Sequence, residues 1–282
     1  VKKLIIPVWA KAIFFGFIIL ELGTKLWSLI AIANFSTSPK IPWSFPLMAV
    51  VLVLLWNYLD GNWMPRSTQG IRHLWMRANS LKIKHRKWGW ISAVLLGCTI
   101  FCFAVLGMRI VDVPSGQIVQ IEHISKYPPW TIISLITMTS VTAGVIEEIS
   151  FRGYMQKPME LKYGPKIAIT VVALFFTILH LPNATITPGL IPIFFLGSIG
   201  WGVLAYLTNS IIPGVVVHGA VDIIGYFSIW KNLELVKALS TKSVLKTGMD
   251  APFLILLLIT LMFTLLTVFG FKKLDRLNRK II

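Results

Sequence analysis

Carboxylates are scarce in this chain: its 282 residues hold 11 Asp and Glu against 27 Lys and Arg, a net charge of +16. Charged residues of both signs make up 13% of the chain and hydrophobic ones 56%. A soluble domain would carry about 25% charged and about 45–50% apolar residues, so an ordinary soluble fold is excluded and a polytopic membrane protein is implied. Cysteine is nearly absent. Cys98 and Cys102 lie four apart in one apolar run, which suits neither a disulfide framework nor a Cys-based zinc site. None of the five histidines falls in the His-Glu-x-x-His pattern of common zinc proteases.

The excess of positive charge is not spread evenly. Arg66, Arg72, Arg77, Lys82, Lys84, Arg86 and Lys87 crowd the segment 60–87, which has no acid after Asp60. Lys157, Lys162 and Lys166 form a second group, and Lys272, Lys273, Arg276, Arg279 and Lys280 a third. Cations clustered beside apolar runs anchor a membrane protein on its cytoplasmic side and contact anionic lipid, so nucleic acid is not the expected partner. His73 and His85 fall in the first basic stretch and read as solvated.

Eight apolar stretches, at about 4–33, 41–59, 88–108, 130–149, 166–181, 188–207, 211–230 and 251–271, approach the ~20 residues needed to cross a bilayer. The expected fold is therefore an all-α transmembrane helix bundle of about eight spans. The first run is interrupted by Lys11, Glu21 and Lys25 and reads as a retained span despite the Ala31-Ile32-Ala33 sequence. An even number of spans puts both termini, the 60–87 stretch and a 150–165 loop in the cytoplasm. The segment 231–250 opposes this, because Lys231, Lys237, Lys242 and Lys246 then lie outside. Pro114 and the pair Pro128-Pro129 break the loop 109–129. Trp9, Trp43, Trp63, Trp88 and Trp130 near span ends read as an interfacial belt. Three regions follow: residues 1–129 with the basic linker, 130–230 with the chemistry, and 231–282 with the last span and tail. No internal repeat is visible.

Within 130–230 few ionisable residues interrupt the apolar runs. Glu147, Glu148 and Arg152 close one run, His180 closes another, and His218 and Asp222 lie in a third. Intramembrane ionisable residues mark functional sites. Burying them singly would cost several kcal/mol each, and pairing around a wet cavity lowers that cost. Glu148 and Arg152, and likewise His218 and Asp222, are four apart and share a helical face, whereas Glu147 diverges from Glu148 by about 100° and needs a partner elsewhere. Ser198 and Gly202, also four apart, suit close helix packing.

Glu147-Glu148-x-x-x-Arg152, Phe176-x-x-x-His180 and His218-x-x-x-Asp222, in this order, resemble the three motifs of the CAAX-processing and bacteriocin-processing (CPBP, or Abi) intramembrane proteases, which include the type II CAAX prenyl endopeptidases. The resemblance covers about 100 residues. It implies an intramembrane endopeptidase acting on a membrane-associated protein or peptide, of the prenylated CAAX type or bearing a leader. It also implies Glu147 as general base, holding water with His180, and His218 with Asp222 at the oxyanion position. The prenyl endopeptidases carry Asn where Asp222 stands. An ionised Asp cannot donate to an oxyanion, so Asp222 is protonated, orients His218 or serves a metal; orientation of His218 is the expectation. Glu148 and Arg152, counted with the catalytic set, are expected to form a structural pair that holds the base's helix, and a share of the base's role stays open for Glu148. Glu147, His180 and His218 offer the donor set of a catalytic zinc or other divalent ion with room for water, and the residues leave metal dependence open. Two other readings keep the same residues: a non-catalytic scaffold or bacteriocin self-immunity protein, and a proton-coupled transporter. The absence of an inverted repeat opposes the transporter. The layout suits a prokaryotic inner membrane with cytoplasmic termini.

Overall fold

The computed structural model describes residues 6–110, 124–181, 191–234 and 243–279. Lys2, Lys3, Pro114, Pro182, Lys237, Lys242 and Lys280 lie outside the described residues. Helices α1 (Val8–Thr37), α2 (Ser44–Leu59), α3 (Gln69–Met76) and α4 (Ile83–Ile110) form the first half. Helix α5 (Pro129–Glu147) runs unbroken into a π-helical segment (Glu148–Met155) and α6 (Gln156–Tyr163). Helices α7 (Pro165–His180), α8 (Ile191–Thr208), α9 (Ile212–Lys231), the single turn α10 (Val244–Thr247) and α11 (Ala251–Arg279) follow. No strand occurs among the described residues.

Each of the eight apolar stretches folds as a helix. Six are long and apolar enough to cross a bilayer: α1, α4, the continuous Pro129–Tyr163 helix, α8, α9 and α11. The other two, α2 and α7, are apolar helices of 16 residues each. The chain is a multi-pass integral membrane protein.

The expected loop over 150–165 is instead helical as far as Tyr163. Ser150, Arg152 and Gln156 are buried against neighbouring helices, so leaving the apolar run does not end the helix. Gly164, at φ +83°, makes the break, and Pro165 starts α7 where a missing N–H costs nothing. The basic linker is likewise not a solvated strap. The Arg72 guanidinium donates to the carbonyls of Tyr58, Trp63 and Pro65 and lies 4.5 Å over the Tyr58 ring. Arg77 pairs with Glu160 in a buried contact. His85 is buried, contrary to expectation, while His73 is exposed and 2.9 Å from Asp60. The two arginines fold back to satisfy backbone carbonyl and carboxylate oxygens near the helix ends.

One face of the bundle gathers the three basic groups. There the Tyr154 hydroxyl donates to Leu59 O, Ile211 N to Arg77 O, and Asn278 to Leu207 O. These bonds bring together the end of α2, the linker, the start of α9 and the ends of α8 and α11. On the opposite face Trp130 Nε1 donates to Lys40 O, and Arg109 pairs with Asp250 at 2.9 Å.

Two tightly packed pairs position the chemistry. Helices α4 and α11 run antiparallel, with the Thr99 and Thr267 hydroxyls 2.9 Å apart and Gly270 against Ser92. Helices α5 and α9 meet at Gly144, where a Cβ would fall 2.8 Å from Val215 O and 2.9 Å from Gly219 N. Lipid tails are as apolar as Leu, so such close approach, rather than hydrophobic exclusion, holds helices together in a membrane.

Candidate active site

Helix α5 ends on Glu147, and Glu148 opens the π-helical segment. The i→i+5 bonding of a π-helix puts more residues in each turn, so successive side chains diverge less than on an α-helix. Both carboxylates therefore reach one imidazole on α9. Glu148 Oε1 lies 3.1 Å from His218 Nδ1, and Glu147 Oε2 lies 3.9 Å from His218 Nε2. A Cβ on Gly214 would stand 2.6 Å from Glu148 Oε2, so α9 can bring His218 this close only because Gly214 has no side chain.

The two acids differ in environment. The Glu148 side chain is 1% exposed and its Oε1 is shared between His218 and Arg152 Nη1, 3.5 Å away. Arg152, fully buried, also donates to Ser198 Oγ at 3.2 Å and lies 5.1 Å over the Phe176 ring. A buried charge removed from its partner costs several kcal/mol, so Glu148 is held in place from two sides. The Glu147 side chain keeps 17% of its surface exposed and its contact with His218 exceeds hydrogen-bond length. It is the carboxylate left accessible.

Asp222 Oδ2 lies 3.7 Å from His218 Nε2. The carboxylate on Nδ1, the one positioned to orient the ring, is thus Glu148 and not Asp222 as expected. The indole of Trp201 stacks on the imidazole at 5.5 Å and 13°, which fixes the ring plane. His218 stands six residues into α9, about 9 Å along the axis from its start on the basic face.

His180 does not touch Glu147 or His218 among the described residues. Its Nδ1 donates to Phe176 O at 2.7 Å, which leaves Nε2 as the nitrogen with a lone pair, and its ring stacks on Phe194 at 4.9 Å. Phe176 and Phe194 also line an apolar cavity of about 130 Å³ whose wall includes Ile100, Gly197, Trp201, His218 and Asp222. His180 therefore stands beside the cavity onto which His218 and Asp222 open. Among the described residues no group of three His, Cys, Asp or Glu side chains could hold a metal ion. The donor set Glu147, His180 and His218 is not gathered as a metal site would be.

Residues 128–224 match the family described as type II CAAX prenyl endopeptidase Rce1-like. That segment is similar to the CAAX protease family. The match begins one residue before α5 and ends within α9, so it spans Glu147, Glu148, Arg152, His180, Trp201, His218 and Asp222 but not Ile100 of the cavity wall. No curated protein and no solved structure matches the chain.

Four residues around this site, Trp201, Ser198, Gly202 and Gln156, carried no functional reading in the sequence. Trp201 is one more aromatic in an apolar run, and only folding stacks it on His218. Ser198 and Gly202 read as packing residues, yet Ser198 accepts from Arg152 and the Gly202 carbonyl from Gln156 at 2.8 Å. Gln156 also donates to Glu160 at 2.6 Å. A signal for this last residue existed: Glu148, Arg152, Gln156 and Glu160 recur every four positions, a polar stripe along one helix.

Proposed function

We propose that the protein is an intramembrane endopeptidase that hydrolyses a peptide bond in a membrane-associated protein through a water activated by Glu147. The observation that carries this reading is the division of labour between the adjacent acids. Glu148 is buried and engaged by His218 and Arg152, while Glu147 is partly exposed beside the same imidazole.

Glu147 takes a proton from water as it attacks the carbonyl carbon, and later passes that proton to the leaving amine. His218 acts as imidazolium, with Nδ1–H held by Glu148 and Nε2–H turned to the developing oxyanion. Neither Glu147 nor Asp222 lies within hydrogen-bond length of Nε2, so that N–H is not already consumed. Asp222 balances the charge of the ring and limits its swing. By family resemblance His180 helps hold the water, and its place beside the Phe176–Phe194 wall is compatible with that role. The apolar cavity beside His218 gives room for an apolar side chain flanking the scissile bond.

The basic face is the cytoplasmic one, by the excess of Lys and Arg at span ends there. The substrate enters from that side, as a prenylated CAAX-type protein or a leader-bearing peptide would. The test compares membranes containing wild-type protein with membranes containing Glu147→Gln. An uncut membrane-associated precursor should accumulate with the variant alone, while the variant melts at the wild-type temperature. Equal cleavage by both proteins would remove the proposed enzyme and leave the scaffold reading.

A further inference from the structure

At the basic face the first turns of α4 lie against the last turns of α11. Between them opens a cavity of about 300 Å³ lined by Trp88, Lys273, Arg276 and Leu277. Trp88 meets Phe269 edge to face at 5.8 Å, and Lys273 Nζ stands 5.2 Å over the same Phe269 ring. The two aromatics and the cation thus mark the level at which α11 passes from apolar to basic. Asp275 is the nearest acid in sequence, and Arg279 takes it at 2.8 Å. Among the described residues neither Lys273 nor Arg276 has a carboxylate partner.

The face of α11 below the cavity repeats at intervals of three and four residues. Leu258, Met262, Leu265 and Phe269 follow at intervals of four, three and four, and all are exposed, Leu265 at 71%. The same intervals continue to Lys273 and Arg276. One helical stripe is therefore apolar for three turns and then cationic for one. A free anion would use only the upper part of such a stripe. A phospholipid uses all of it, with acyl chains along Leu258–Phe269 and its phosphate between Lys273 and Arg276.

We infer that the α4–α11 groove is a binding site for a single anionic phospholipid, such as phosphatidylglycerol, seated from the basic leaflet. Trp88 closes the headgroup level, where indoles favour the interface. The site is independent of peptide hydrolysis, because none of its residues belongs to the Glu147–His218 cluster.

Native mass spectrometry of the full chain in mild detergent tests it, titrating phosphatidylglycerol against phosphatidylcholine of equal chain length. Each interfacial cation adds about 1 kcal/mol toward anionic lipid, so two should give roughly thirtyfold preference for the anionic lipid. Lys273→Ala with Arg276→Ala should abolish that preference, and Lys273→Arg with Arg276→Lys should keep it, both melting like wild type in phosphatidylcholine. Equal binding of both lipids by wild type, or a preference untouched in the double alanine variant, would overturn the site. Displacement of the bound lipid by inorganic phosphate alone would overturn the phospholipid as occupant.

Discussion

Glu147 and Glu148 are neighbours in the chain and sit in different environments. Changing Glu147 to Gln keeps size and polarity but removes the base, so turnover should fall about 10²–10⁴-fold, read as kcat in proteoliposomes with an unchanged melting curve. Arg152→Ala acts differently. It takes from the buried Glu148 one of its two cationic partners and leaves only His218, so stability should fall by as much as about 3–5 kcal/mol and activity should fall with it, both visible in a thermal melt and a cleavage assay. Retention of wild-type stability by Arg152→Ala would show that the pair does not hold the π-helical segment. The acid pair, His180, His218 and Asp222 were all legible in the sequence, because ionisable groups stand out in apolar runs. Which carboxylate orients His218 was not. Side-chain azimuth depends on the turn geometry of the backbone, and an α-helical reading separates Glu147 and Glu148 more than the π-helical segment does.

At the scale of elements, the crossing of α5 and α9 sets the distance between acids and imidazole. A side chain at Gly144 meets the backbone of Val215 and Gly219, and backbone cannot swing aside. Gly144→Leu should therefore push α9 from α5, cost about 1–3 kcal/mol of stability and reduce kcat. Stability and activity both unaltered would mean that the helices are not held by this contact. Gly197 gives the complementary case. A Cβ there has only ordinary contact, 3.7 Å from Ile100 Cδ1, so Gly197→Leu should fold normally while filling the 130 Å³ cavity. Its kcat/KM should drop for substrates with bulky apolar residues beside the cut and change little for those with glycine. A uniform loss across both substrate types would separate the cavity from specificity. Helix existence was readable from hydropathy at all eight stretches. The extension of α5 through the motif to Tyr163 was not, because loss of hydropathy looks like a loop when the partners of the polar residues are unknown.

For the whole molecule, the charge distribution predicts a side as well as a shape. With Cys98 and Cys102 replaced by Ala, a cysteine at exposed Asn62 on the basic face should label only from the cytoplasm. A cysteine at exposed Met249 should label only from outside. The reverse pattern would invert the molecule and move substrate entry to the other leaflet. The chain alone determined that this is a many-helix membrane protein, that its cations cluster beside apolar runs and which ionisable residues the membrane must tolerate. Those are properties of composition and periodicity, which act locally along the chain. Only the tertiary structure decided that Glu148 rather than Asp222 holds His218, that Trp201 fixes its ring, that His180 stands apart beside Phe194, and that Lys273 and Arg276 cap an apolar stripe beside Trp88. Each of these depends on the relative rotation and separation of two helices, set by backbone approach at Gly144 and by the room Gly214 leaves for the Glu148 side chain, and no pattern within one helix encodes that distance.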